Sequence, residues 1–412
     1  MSDGRPLVGI DVGSSAVNAV VARVDGDDLV VLGCGQARHD GAKKGIIANL
    51  EEVSEAVRIA AEEAEAMAAV PVERAVVGIG GTPILGVPSR ASVPVTGRNH
   101  TVTAEDQQRA LAACAQVKIP ADYRVLDIIS CGFALDGQPG MDQPLGMPGQ
   151  RLDASAFVLF THKTHADTVE QAVNRAAMAV DQLVFEPLAA AEAVLSRDER
   201  ELGCLLLDVG HGSTEWVLFS EGVVSATGAN HVAGRLFTSD LAILLQTTTA
   251  AADRVKRQVG AAIDRENIEN EAIEVPALGG GGHQVHCARF AAEVLYERAR
   301  DLLIRVHRAL VAERLERVPV AGVVLTGGGA RLEGLLELAE EILGHRVRLG
   351  VPVGLAGITE PVEGPEWAVA CGLVRLQQRH RELTPMMTSQ RGSLLGWLRT
   401  AFGELFELGG GS

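Results

Sequence analysis

Two stretches far apart in the chain share one pattern, and that duplication constrains the fold more than any other feature. "GIDVGSSAV" begins at Gly9 and "LLLDVGHGST" begins at Leu205, each an Asp-Val-Gly core between strand-like apolar runs. The neighbourhoods repeat as well. "LVGIDVG", "AVNAVVARV" and "LVVLGCGQA" read as three strands joined by short turns, an antiparallel meander. "CLLLDVG", "TEWVLFS" and "VVSATGAN" read as a second meander, with helical sequence starting near Ala233. At 412 residues the chain exceeds one ordinary hydrophobic core, so the pattern predicts two related α/β domains.

Between the meanders the periodicity changes. "NLEEVSEAVRIAAEEAEAMAAV" carries Asn49 as an N-cap with Glu52 three places on, a capping-box pattern ahead of an amphipathic helix. The sequence divides the chain into a first domain at 1–84, an inserted subdomain at 85–165, the rest of the first domain with a connecting helix at 166–200, and a second domain at 201–362. A return helix at 363–380, a flexible linker at 381–392 ("RELTPMMTSQRG") and an amphipathic segment at 393–408 complete it. The strand-turn-helix "GVVLTGGGARLEGLLELAEEIL" covers 322–343.

Bulk properties narrow the functional classes. A formal net charge of −16 with no concentrated basic run argues against a nucleic-acid partner. Six cysteines with no Cys-x-x-Cys pair read as reduced cytosolic thiols. "MSDGRPLVGIDV" lacks the apolar stretch of a signal peptide, and no run is long enough to span a bilayer.

A tight glycine-containing turn between strands gathers backbone N–H groups into a nest that receives anionic oxygens, typically phosphate. One such turn alone is most often a plain hairpin. Two of them, from facing domains, would grip a polyphosphate from both sides, with Asp11 and Asp208 holding a hydrated Mg²⁺ through water. The triple-glycine turn Gly327, Gly328 and Gly329 opens a helix after a strand and suits close approach of a nucleoside.

The order of these motifs resembles the actin-like ATPase superfamily, which includes actin, DnaK-type chaperones and sugar kinases. "GIDVGSSAV", "FEPLAAAEAV", "LLLDVGHGST", "VVLTGGGARLEG" and "EWAVACGLV" match its two phosphate turns, adenosine turn and two connecting helices. Within it the chain resembles the FtsA family of bacterial cell-division proteins over nearly its whole length. "KKGIIANLEEVSEAVRIAAEEAEAMA", the subdomain "YRVLDIISCGFALDG…PLGMPGQRLDASAFVLFTH", "VDQLVFEPLAAAEAVLSRDERELGCLLLDVG" and "TSDLAILLQTTTAAADRVKRQVGAA" carry that resemblance.

The resemblance implies an actin-like fold of two duplicated RNase H-like domains around a nucleotide cleft, with a small inserted subdomain. Asp11, Gly13, Ser14 and Ser15 would form the first phosphate turn, and Asp208, Gly210, Gly212 and Ser213 the second. Gly234 would lie near the phosphates, Asp253 and Lys256 would reach the nucleoside, and Gly327 to Gly329 would line adenine and ribose. The implied cofactors are ATP and Mg²⁺. The implied partners are the C-terminal peptide of the tubulin-like protein FtsZ, further copies of this chain in a filament, other division proteins and lipids of the cytoplasmic membrane. Its implied place is the cytoplasmic face of the inner membrane at the septum.

Three departures bear on turnover. Many relatives carry a lysine just after the first turn, where this chain has Ala16, Val17 and Asn18. His211 replaces a glycine common in the second turn. Glu186 either orients an attacking water or is simply a helix-start carboxylate favoured by the dipole. The resemblance therefore implies ATP binding with at most weak ATPase activity.

The tail has its own pattern. On a helical wheel Leu394, Leu395, Trp397, Leu398, Ala401, Phe402, Leu405 and Phe406 fall within an arc of roughly 180°, with Arg399, Thr400, Glu404 and Glu407 opposite. A helix docked on the core, a partner-binding helix and an interfacial membrane helix all fit, and the preceding linker with the bulky aromatics favours membrane. "GGGGHQVHC" and "THKTH" lack the ligand number of a zinc site, and His162 and His165 are expected at a strand end and surface turn. Two rival functions share the core: a pilus-assembly scaffold of the inner membrane, and a small-molecule kinase.

Overall fold

The computed structural model describes residues 5–262 and 271–387. Three strands open the chain: β1 (Leu7–Val12), β2 (Ala16–Asp25) and β3 (Asp28–Arg38). A two-residue hairpin, β4 (Ala42–Lys43) and β5 (Ile46–Ile47), leads to α1 (Leu50–Ala68) and β6 (Arg74–Ile79). Next come β7 (Ile84–Pro94), α2 (Ala104–Cys114), β8 (Tyr123–Leu135), β9 (Gln138–Met141) and β10 (Arg151–His162). The chain returns through α3 (Lys163–Arg175), β11 (Ala179–Phe185), α4 (Glu186–Val194) and α5 (Arg197–Leu202).

The second half repeats the opening with β12 (Cys204–Val209), β13 (Thr214–Ser220) and β14 (Val223–Asn230). Then follow α6 (Gly234–Leu244), α7 (Thr249–Val259), the hairpin β15 (Ala272–Pro276) and β16 (His283–Cys287), and α8 (Ala288–Ala312). It closes with β17 (Gly322–Thr326), α9 (Leu335–Leu343), β18 (Val347–Leu349), β19 (Leu355–Gly357) and α10 (Ala368–Met387).

The described residues form two compact units, one of 5–85 with 161–262 and 271–375 and one of 86–160 with 376–387. In the first unit the sheet order β11-β6-β1-β2-β3-β19 is matched by β18-β17-β12-β13-β14. Both sheets place an antiparallel meander on one side of a central strand and parallel strands on the other. The central strands β1 and β12 are apolar through most of their length because both faces are covered. The duplication legible in "DVG" is thus a duplication of whole sheets.

Helices cover these sheets at backbone distance. A β-carbon at Gly372 of α10 would overlap the carbonyl of Ala189 on α4 and lie 3.2 Å from the Ala189 Cα, so only glycine fits there. Leu295, Leu302, Leu303 and Val306 of α8 pack with Leu205, Leu207, Leu218 and Leu241 to build the core of the second half. In the second unit, β7-β10-β8-β9 form a sheet whose core joins Val102, Leu111 and Cys114 to Phe133, Leu135 and Leu152. There α2 begins with a complete capping box between Thr103 and Asp106.

Two local expectations change. At α1, Asn49 Oδ1 accepts from the Glu52 amide (3.3 Å), but the Glu52 carboxylate takes the Asn49 side-chain amide (3.2 Å) and the Asp40 N–H (2.6 Å) instead of closing a box. At the other end, α10 continues through Met387, seven residues beyond the expected return helix and into the span assigned to a flexible linker. The run from Gln377 to Leu383 is rich in good helix formers, which carries the helix on to Pro385. The rest of that linker and the amphipathic segment 393–408 lie outside the described residues.

Candidate functional site

The shared topology brings both turns to one place. In the first sheet Asp11 pairs with Asn18 and the last rung is Val12 with Val17. In the second, Asp208 pairs with Glu215 and the last rung is Val209 with Thr214. Equal registers make both turns leave their sheets at corresponding ends, and they line a single cleft of about 1570 Å³. They also touch. A β-carbon at Gly212 would strike the Ser14 side chain and lie 2.7 Å from the Gly45 amide nitrogen; one at Gly45 would lie 2.8 Å from Ser213 Oγ.

Four of the carboxylates that line this cleft, Asp11, Glu186, Asp208 and Glu215, stand close enough to act on one another. Asp11 is buried, and its Oδ2 accepts from Asn18 Nδ2 at 3.2 Å. Asn18 also donates to the Glu366 carbonyl (3.1 Å) and accepts from Gln36 Nε2 (2.7 Å). Where relatives were expected to hold a lysine, this chain holds an amide that orients Asp11. Glu215, buried on β13, accepts from the Gly81 amide (2.5 Å) and from Ser213 Oγ (2.8 Å). Its other oxygen, Oε2, is buried with no hydrogen-bond partner among the described residues. Glu186 starts α4, followed by Pro187 in the first turn.

Crowding acids out of water raises their proton affinity. Burial, and then the Glu215 charge working against the Asn18 hydrogen bond, push Asp11 up to about 7. Enclosure and neighbouring carboxylates hold Glu186 and Asp208 well above the usual range, and burial raises Glu215 despite its two hydrogen bonds. Such a site favours a cation among the acids. Among the described residues no three of His, Cys, Asp and Glu converge as direct metal ligands, so a metal here would be held largely through water, as Mg²⁺ commonly is.

Every residue expected in the turns and around the nucleoside lines this cleft: Asp11, Gly13, Ser14, Ser15, Glu186, Asp208, Gly210, Gly212, Ser213, Gly234, Asp253, Lys256, Gly327, Gly328 and Gly329. The Gly210 amide is spent on the Ser213 carbonyl (3.0 Å), so the later amides of that turn are the ones free to meet an anion. Gly234 begins α6 and donates its N–H to the Gly210 carbonyl (3.0 Å). Lys256 pairs with Asp253 (2.9 Å) and donates to Thr238 Oγ1 (2.7 Å). Burial opposes ionisation of Asp253, yet Lys256 and Arg257 hold it down at about 2. Burial, Lys256 and Arg235 lower His211 to about 4, so it is neutral at physiological pH.

The triple-glycine turn differs from expectation in one respect. Gly327, at φ 80°, leads into a short 3₁₀ turn at Gly328–Arg331, and α9 starts only at Leu335. The turn packs on the second Asp-Val-Gly turn, a β-carbon at Gly329 falling 2.6 Å from Val209 Cγ1. The apolar tail residues Leu394, Leu395, Trp397, Leu398, Phe402, Leu405 and Phe406 lie outside the described residues.

Three cleft residues escaped sequence reasoning. Glu215 stands seven places after Asp208 just as Asn18 stands seven after Asp11, so aligning the two repeats would have found it. His39 ties the end of β3 to the first turn: its amide donates to the Ser15 carbonyl (3.1 Å) and its ring meets the Gly13 carbonyl (3.0 Å). His165, expected at a surface turn, is buried on α3 with Nε2 2.8 Å from the Gly80 carbonyl. Only tertiary packing of α3 against the loop after β6 removes it from water.

Comparison with known proteins agrees with this architecture. The family profile "Cell division protein FtsA" matches residues 205–372, and "SHS2 domain inserted in FTSA" matches residues 81–160. The chain is 36% identical to the cell division protein FtsA of Pseudomonas aeruginosa, over 91% of this chain and 89% of that protein. It is 31% identical to that of Escherichia coli K12, over 97% and 99% respectively. Among solved structures, a chain of the PilM-PilN type IV pilus biogenesis complex superposes with TM-score 0.65 at 19% identity, covering 89% of this chain and 97% of that one. MreB5 of Spiroplasma citri bound to ADP gives 0.54 at 13% identity, covering 94% and 99%. These structures establish an actin-like fold, and with the inserted SHS2 domain and the sequence identity over most of its length, the chain belongs to the cell division protein FtsA family.

Proposed function

We propose that this protein binds ATP with Mg²⁺ in the cleft, self-associates, and fastens a ring of FtsZ to the cytoplasmic face of the bacterial inner membrane at the division septum. The observation that carries the nucleotide part is the meeting of two equivalent turns at Gly212, Ser14 and Gly45, which leaves backbone amides of both halves around one cavity. Amides of Gly13 to Ser15 and of His211 to Ser213 would hold phosphates, and Gly327 to Gly329 would line adenosine. Asp11 and Asp208 would hold the hydrated Mg²⁺, with the unpartnered Glu215 Oε2 available to a water of its shell. When bound, Mg²⁺ offsets the charge of both phosphates and acids. Glu186 would orient a water, and Asn18, bonded to Asp11, would add no positive charge on the phosphate side, a combination that supports slow turnover.

Supporting this reading, the MreB5 chain of the same fold was solved with ADP, and MamK of the same fold as a double helical filament. The amphipathic segment 393–408 supplies reversible membrane contact, and many copies in one assembly make that contact stable. Among the described residues no helix is long and apolar enough to cross a membrane.

The decisive experiment is equilibrium binding of ATP with Mg²⁺. The double change Asp11→Ala and Asp208→Ala should weaken it by at least about 100-fold, roughly 2.7 kcal/mol; retained affinity removes the cleft assignment. For the tether, deletion of residues 391–408 should abolish co-flotation with liposomes, and unchanged flotation would defeat it. Capture by the C-terminal peptide of FtsZ separates this reading from a pilus scaffold or a kinase.

A further inference from the structure

The cleft holds many acids, so a polyphosphate needs cations there, and most of the cleft's cations are already engaged. Lys256 and Arg257 both pair with Asp253 (2.9 and 2.7 Å), and Arg331 pairs with Glu366 (2.8 Å). Arg235 reaches the Ala42 carbonyl at 3.5 Å. Among the described residues, Arg38 and Lys43 line the cleft with no hydrogen bond or ion pair to their side chains. Both are exposed; Lys43 belongs to the two-residue hairpin β4–β5, whereas Arg38 is paired directly with the strand that leaves the first turn.

Arg38 is the last residue of β3, paired with Ala16 at the foot of the first turn. Side chains two apart on a strand share a face, and directly paired residues share it across strands. Gln36, Asn18 and Asp11 form one hydrogen-bonded row on the cleft face, Gln36 pairing with Asn18 and Asn18 with Asp11. Arg38 and Ala16 are the next rung on that face, beside Ser14 and Ser15. His39 clamps the strand end to the turn through the Ser15 and Gly13 carbonyls, so this rung cannot drift from it. Ala16 is too small to fill the space across from the guanidinium.

Resting on the nucleotide reading above, we propose that Arg38 is the phosphate-binding cation of the first turn, reaching across Ala16 to the outer phosphates of the bound nucleotide. A planar guanidinium engages two phosphate oxygens at once, which suits a cation that must approach from the neighbouring strand rather than from the turn itself.

The test is calorimetric titration of the full chain and of Arg38→Ala with ATP, ADP and AMP in the presence of Mg²⁺, alongside thermal melts. Because the Arg38 side chain is exposed and has no partner among the described residues, the variant should melt within a degree or so of the parent. Its affinity for ATP should fall at least tenfold, for ADP by a smaller factor, and for AMP by less than twofold. Equal losses for all three nucleotides, or unchanged ATP affinity, would overturn the assignment. If the unaltered chain binds no ATP, the nucleotide reading falls and Arg38's role with it; if it binds and Arg38→Ala binds equally well, only Arg38's role falls.

Discussion

Glu215→Gln should stabilise the ligand-free protein at pH 8 by about 1–3 kcal/mol, whereas Glu215→Ala should destabilise it by a similar amount. The amide keeps an oxygen for the Gly81 N–H and Ser213 Oγ while removing a buried charge from among Asp11, Glu186 and Asp208. Alanine strands both donors. The sign of the pH dependence follows from burial, which raises Glu215 above its ordinary 4.5 in the folded state. Between that value and its higher folded one the native protein holds a proton that the unfolded chain releases, so stability falls as pH rises through this window. Asp11, raised from 3.8 to about 7, adds to the same slope. Asp253, held at about 2, acts oppositely: it contributes stability above pH 3.8 that is lost as pH falls toward 2. Differential scanning calorimetry of parent and Glu215→Gln from pH 4 to 8 should therefore show curves that meet near pH 4 and diverge upward. A variant that melts lower than the parent at pH 8 would mean the charge is already neutralised within the fold.

Gly372→Ala should cost at least about 3 kcal/mol, the upper end of overpacking penalties, because the obstacle is backbone. The new methyl would land on the Ala189 carbonyl, and neither α4 nor α10 can yield without moving strands packed beneath. α4 begins at Glu186, so any retreat of that helix displaces a cleft carboxylate along with the core. Gly140→Ala provides the contrast. It has φ 88° but nothing within 4 Å of an added β-carbon, so it should lose only the roughly 1 kcal/mol of a left-handed residue. Urea unfolding of the two variants measures the difference; comparable midpoints would show that α4 and α10 can part at little cost.

How much of this was legible beforehand depends on the range of the physics involved. Period-two apolar runs and short turns at 7–37 and 204–230 are local, and they yielded both meanders and the duplicated α/β architecture. The Asn49 cap is equally local, although its partner Glu52 turned to Asp40, a competitor that only the folded chain presents. The end of α10 was misplaced because helix propensity through Leu383 outweighed the loop-like composition of the segment.

The sequence by itself determined that the Asp-Val-Gly unit occurs twice, since strand pattern and turn chemistry reside in consecutive residues. Tertiary structure alone decided that both units face one cleft, that Glu215 joins its acids, that His165 is buried there, and that the Arg38 side chain stands beside the first turn with no partner among the described residues. Those outcomes depend on sheet order, register and crossing helices, which couple residues hundreds of positions apart. No window along the chain contains that coupling; it arises only when the backbones have closed to within a glycine's width.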